Sequence, residues 1–166
     1  MKPALLSALF ALAFTATVAG QDAPDAGWAK DPASGCSFKA PRSLPSGPTY
    51  WIGDCTGGKA TGLGVLRRRD GTVAGEAFYG ELKNGVPVIG VIDTRRDDQG
   101  GFVLGRWKDG DLVSNDDNPW QDRADAFTTA ASAARAASAV FRAQKNEVSA
   151  RFYAQQAEML AEQLDG

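Results

Sequence analysis

The chain contains no histidine, and its 166 residues include only two cysteines. Without histidine, the usual base for a serine or cysteine nucleophile is missing, as is the commonest transition-metal ligand. Cys36 and Cys55 do not form a Cys-x-x-Cys pair, which argues against a redox-active thiol. Ser34, Ser43 and Ser46 stand in loop-like contexts without a nucleophile-elbow pattern. A basic excess is also lacking: 18 Lys and Arg face 20 Asp and Glu, so nucleic acid is not an expected partner. "GGKATG" at 57–62 has neither the spacing nor the strand-loop-helix setting of a phosphate-binding loop. No catalytic residue, cofactor or metal is therefore expected.

Long apolar runs are missing too. The stretch from Ala4 to Phe14 is about half of the ~20 residues that a spanning helix needs. With Lys2 before it and the small residues Thr17 and Ala19 after it, the stretch predicts a secretory signal peptide over 1–20. No transmembrane segment is expected after processing, and the protein should be periplasmic or secreted. An oxidising compartment would join Cys36 to Cys55, stabilising the fold by about 3 kcal/mol.

What the chain does have is glycine, 19 residues of it, in a pattern. "WIGDCTGG" at 51–58, "FYGELKNG" at 78–85 and "VLGRWKDG" at 103–110 share the form apolar-x-Gly-x-apolar-x-x-Gly. Side chains alternate along a strand, so Trp51, Gly53 and Cys55 share a face, as do Phe78, Gly80 and Leu82, and Val103, Gly105 and Trp107. A glycine between large residues leaves a socket that an aromatic from the neighbouring strand can fill. The second glycine of each unit, Gly58, Gly85 or Gly110, suits a two-residue hairpin turn, and Asp70-Gly71 supplies a further one. Residues 49–117 are thus predicted to form an antiparallel meander of hairpins.

These units resemble the MORN repeat (membrane occupation and recognition nexus), of the form Tyr-x-Gly-x-aromatic-x-x-Gly-x-x-x-Gly-x-Gly. The first unit carries Gly53, Gly58, Gly62 and Gly64 at that spacing, with Trp51 in the opening aromatic place. The second keeps Gly80 and Gly85 and then has only Gly90, one residue out of register; the third keeps Gly105 and Gly110. The resemblance implies about three MORN-like hairpins; with the C-terminal helix that the following residues predict, the chain is expected to be an α+β protein. The resemblance implies little about function, because folds of this kind serve unrelated tasks.

The flanks differ in character. Residues 21–48 are rich in proline, glycine, serine and aspartate and read as loop, with "CSFKAP" able to add a short edge strand to the first hairpin. Over 118–166, Asn118 as N-cap and Pro119 at the first helical position open a stretch lacking proline and glycine from Trp120 to Leu164. One long helix is predicted, about 60 Å if unbroken. Its stripe of Phe127, Ala131, Ala134, Ser138, Phe141, Lys145, Val148, Phe152, Gln155 and Met159 has heptad spacing. Packing on the chain's own sheet is the first reading of that stripe; self-association and a membrane-surface helix are the others.

Interaction sites remain. Arg67, Arg68, Arg69, Arg95 and Arg96 fall where one hairpin passes to the next, and would form a cationic rim suited to an anionic envelope surface. Guarding strand ends against aggregation is the plainer role for such charges. Asp109, Asp111, Asp116 and Asp117 invite a calcium reading, but Val113 stands where an EF-hand loop needs an oxygen donor. Asp97 beside Asp98, or Asp93 near Glu81, are the carboxylate pairs that a glycosidase reading would use. The expected function is non-catalytic: an exported binding or scaffold protein acting on a protein or envelope surface. A structural oligomerisation module is the alternative, and a cell-envelope-acting enzyme a more distant one.

Overall fold

The computed structural model describes residues 27–95, 100–113 and 117–164. The predicted signal peptide, and Arg96, Asp97, Asp98 and Asp116, lie outside them. Two short strands, β1 (Trp28–Lys30) and β2 (Ser37–Lys39), precede six more: β3 (Thr49–Thr56), β4 (Lys59–Asp70), β5 (Val73–Lys83), β6 (Val86–Asp93), β7 (Phe102–Lys108) and β8 (Asp111–Val113). Strands β3 to β8 are joined in sequence order by antiparallel pairing. The turns explain why. In three of the hairpin loops both central residues have positive φ: Gly57 and Gly58 at 58° and 74°, Asn84 and Gly85 at 52° and 81°, Asp109 and Gly110 at 54° and 91°; in the β4–β5 loop only Gly71 does, at 57°. That backbone matches the twist of paired strands, and Asn-Gly and Asp-Gly adopt it most readily.

The sheet is mixed rather than purely antiparallel. β1 pairs with β2, and Ser37 of β2 meets Lys59 of β4 in parallel register. From there residues 37–42 cross the ends of the hairpins as a strap. Ser37 N–H donates to Gly58 C=O at 2.9 Å, Lys39 to Gly85 at 2.7 Å and Arg42 to Gly110 at 2.9 Å. The glycine that closes each hairpin therefore also holds the N-terminal segment. Cys36 and Cys55 form a disulfide, Cα to Cα 6.0 Å, that fastens the strap to β3.

Alternation sends the first glycines and their aromatics to the strap side. Gly64 pairs with Gly80, Gly80 with Gly90, and Gly90 with Gly105, a row of glycines straight across four strands. Gly90, one place out of the repeat's register, is thus in register in space. A Cβ at Gly64 would overlap the Trp51 ring and the Ile52 carbonyl; one at Gly80 would overlap the Phe78 ring and the Ile89 carbonyl. Each ring also lies over a glycine of its own strand, Trp51 over Gly53 and Phe78 over Gly80, besides the cross-strand neighbour foreseen in the sequence. Trp107 meets Phe78 edge to face at 5.2 Å. Phe38 and Leu44 of the strap segment complete this core with Leu66, Leu82 and Ile92.

The other face of the sheet is covered by helix, and here the expectation of one long helix is corrected. There are two, α1 (Pro119–Ala143) and α2 (Glu147–Glu162). Asn146 N–H donates to Phe141 C=O at 2.9 Å and Lys145 N–H to Arg142 C=O at 3.0 Å, the bond pair of a Schellman stop. Lys145 holds the left-handed position, φ 59°, that glycine more often takes. Asn146 then caps α2, its side chain accepting from Ser149 N–H at 3.1 Å.

The break also moves the stripe. Phe127, Ala131, Ala134 and Ser138 are buried as the periodicity requires, but beyond Lys145 the buried set is Ala150, Tyr153, Ala157 and Leu160. Val148 is 72% exposed, and Phe152 lies on the outer side of that set. Both helices contribute to one core with Ile52, Val65, Tyr79, Ile89 and Val91. Arg106 of β7 ties the start of α1 to the sheet through Asp122 at 3.1 Å and Asp125 at 3.0 Å. No helix among the described residues is long and apolar enough to cross a membrane.

Candidate functional site: a cleft floored by arginine

The three consecutive arginines of β4 take three different courses. The pleat turns Arg67 inward, toward the helices, where it is only 7% exposed. Arg68, facing the other way, donates to the carbonyls of Pro48 and Arg69 at 2.7 and 3.1 Å. Arg69 sits 5.6 Å from the ring centroid of Tyr50. Opposite them the ladder slips: Arg67 pairs with Ala77 and Arg69 with Ala74, so Gly75 and Glu76 bulge from β5. Bulges of this kind redirect backbone groups beside sites. Here the Gly75 carbonyl accepts from Arg67 Nη1 at 2.9 Å.

The rest of the guanidinium is held by tyrosine. Arg67 Nε donates to Tyr153 Oη at 3.3 Å and Nη2 to Tyr79 Oη; Tyr79 Oη in turn reaches Gln156 Oε1 at 3.3 Å. Three rings surround the cation, with centroids 5.6 Å (Tyr79), 5.3 Å (Phe152) and 5.5 Å (Tyr153) from its central carbon. Phe141, from the end of α1, stacks on Tyr153 at 5.4 Å. Burial lowers the Arg67 pKa, yet the two phenols together outweigh it and hold the group above its ordinary value. Burial pushes the Tyr79 phenol well above 10.0, with Arg67 opposing. Both stay in their usual states at neutral pH: Arg67 charged, Tyr79 neutral.

Outside this cage lies a cleft of about 660 Å³, bordered by Arg67, Arg68, Asp70, Val73, Ala74, Gly75, Glu76, Asp93, Arg95, Phe152 and Gln156. Arg95 is committed to Asp93, with Nε and Nη2 each 2.9 Å from a carboxylate oxygen. That bond, partly offset by burial, raises the Arg95 pKa. Its guanidinium lies 4.5 Å from the Phe102 ring centroid. Of the five arginines of the expected rim, then, Arg67, Arg68 and Arg95 border one cleft, Arg69 turns to Tyr50, and Arg96 is outside the described residues. Tyr79, Tyr153 and Gln156 carried no signal in the sequence reading. The one available cue was that the pleat must put Arg67 on the same face as Val65.

A second hollow of about 460 Å³ lies between the unpaired side of β3 and the end of α1, lined by Tyr50, Trp51, Ile52, Arg69, Val140, Phe141 and Gln144 among others. The remaining candidates are dispersed. Asp111 pairs with Arg42 at 2.9 Å, and no group of three or more Cys, Asp or Glu among the described residues is placed to hold a metal. Glu81 pairs in register with Ile89 and Asp93 with Ala77, at opposite ends of their hairpin. The repeat aromatics Trp51, Phe78 and Trp107 are buried, and Trp51 borders the second hollow. No protein-family model, curated protein or solved structure matches the chain.

Proposed function

We propose that this is an exported, non-catalytic binding protein of MORN-like architecture whose interaction surface is the cleft beside Arg67. The observation that carries this reading is a cationic side chain buried at the floor of an open cleft, 7% exposed and steadied by two phenols. The strap and the helix pair cover the two faces of the sheet, which leaves clefts and edges as the surfaces that a partner can use. The disulfide and the hydrophobic start of the chain support export. Thermal shift of the chain from Gln21 onward, against anionic and neutral fragments and against phosphatidylcholine vesicles with and without phosphatidylglycerol, tests the binding reading. A binder gains stability in proportion to the logarithm of ligand excess, whereas an unmoved midpoint with every probe removes it.

Assembly through the helices is the second reading, favoured by the exposure of Trp120 (76%) on α1 and Val148 (72%) on α2. Light scattering of the same chain across concentrations decides it. A mass rising to twice the monomer supports assembly; a constant monomer mass ends it.

A further inference from the structure

The cleft also carries information about what it takes. We infer that it binds a monoanionic oxyanion, a carboxylate or a phosphodiester, attached to an apolar group; the inference rests on the binding reading above.

The charge argument comes first. The three hydrogen bonds of Arg67 go to two phenol oxygens and one carbonyl, so three of its five N–H donors are taken, all by neutral acceptors. A guanidinium in that setting retains donors and an undischarged field, and its planar fork suits the two oxygens of a carboxylate or phosphate. Arg68 adds a second cation on the border of the cleft, hydrogen-bonded to backbone carbonyls.

The acids on the border set the upper limit on charge. Asp93 is taken up by Arg95 at 2.9 Å, while Asp70 also lines the cleft. Carboxylates this near would repel a dianion more than a monoanion, so a phosphate monoester is the poorer fit. The apolar flank follows from Phe152 and Val73, exposed at 40% and 67% and both lining the cleft. Phe152 sits against the Arg67 guanidinium, so an oxyanion meeting Arg67 brings whatever it carries onto that ring. A volume of about 660 Å³ admits a group of drug-like size.

The test uses the disulfide-bonded chain from Gln21 onward, labelled with nitrogen-15, and follows the Arg67 Nε–H and the Gly75 and Ala74 amides by NMR. Benzoate and its neutral isostere benzamide are the probes. The expected result is a saturable shift of all three signals with benzoate, half complete below about 1 mM, and at least a tenfold weaker response to benzamide. In Phe152→Ala, a change at a partly exposed position, the benzoate response should weaken at least threefold while the spectrum stays folded. Vesicles of phosphatidylcholine with phosphatidylglycerol identify the source: loss of the same signals, reversed by benzoate, points to a lipid phosphodiester, and benzoate binding without vesicle binding points to a soluble acid. Equal responses to benzoate and benzamide overturn the choice of an anion but leave a binding cleft. Silence of Arg67 toward both overturns the inference and reduces Arg67 to a clip between β4 and α2; the binding reading itself falls only if the thermal shifts are also absent.

Discussion

The two faces of the sheet solve the same problem with opposite materials. Under the strap, large rings lie over a row of glycines, and the cover is a nearly irregular segment pinned by hairpin carbonyls and one disulfide. Under the helices the packing surface of α1 is mostly alanine, Ala126, Ala130, Ala131, Ala133, Ala134 and Ala137, and the bulk comes from the strands. Small helix residues permit close approach of a regular element, whereas a segment without regular structure needs deep sockets and covalent fastening to hold its place. The strap face is therefore expected to be rigid and intolerant of added volume. The helix face ends at Arg67, a buried charge that opens to a cleft.

The sharpest way to break this comparison is to fill a socket. Gly80→Val should destabilise by at least about 3 kcal/mol, since its side chain would occupy the place of the Phe78 ring and press on the Ile89 carbonyl. Phe78→Ala should cost about 3–5 kcal/mol alone. In denaturant titrations the double variant should be markedly less destabilised than the sum of the two, because the residues share one space. Strict additivity would mean that the glycine row is not a set of sockets.

Reducing the disulfide should come next, with a loss of about 3 kcal/mol. Near-ultraviolet dichroism from Trp51 and Trp107 should fade before the far-ultraviolet helix signal, which separates the strap face from the helix face. Simultaneous loss of both signals would show that the faces unfold as one.

On the helix face, Tyr79 supplies a pH dependence. Its proton is held more tightly in the folded chain than at the ordinary 10.0 of the unfolded one, so its contribution is complete below pH 10 and declines as pH rises toward the folded value. Tyr79→Phe should lose about 1–3 kcal/mol at neutral pH, through the Arg67 donor that it strands. The variant should also show a flatter fall in stability above pH 10. An unchanged alkaline slope would place the titration elsewhere.

The smallest effect belongs to the helix break. Asn146→Ala should cost about 1 kcal/mol by removing the α2 cap, seen as a lower thermal midpoint with the strap-face signals unmoved.

How far the chain was legible follows from the range of each cue. Asn84-Gly85, Asp109-Gly110 and the Gly57-Gly58 pair encode their turns locally, so the hairpins and their order could be read directly. The helix stop could not, because Lys145 occupies a position where glycine or proline would have announced it. Only the Asn146 cap marked it, and polar residues are common on a helix surface. The heptad stripe failed beyond that point for the same reason: a few residues out of helical phase rotate every later side chain, and Tyr153 replaced Phe152 on the inner face.

Turn chemistry, strand alternation, the α+β composition and the pairing of two cysteines are short-range or exclusive choices, and these the order of residues settled. Which element covers which face is a long-range choice. Phe78 and Tyr79 are neighbours with similar rings, yet one lies under the strap and the other under α2 because the pleat separates them by the thickness of the sheet. Arg67, Arg68 and Arg69 are identical in composition, and only assembly around Tyr79 and Tyr153, twelve and eighty-six positions away, made the first of them a buried cation. Burial of a charge depends on what the rest of the chain brings to it, and that is a property of the folded molecule.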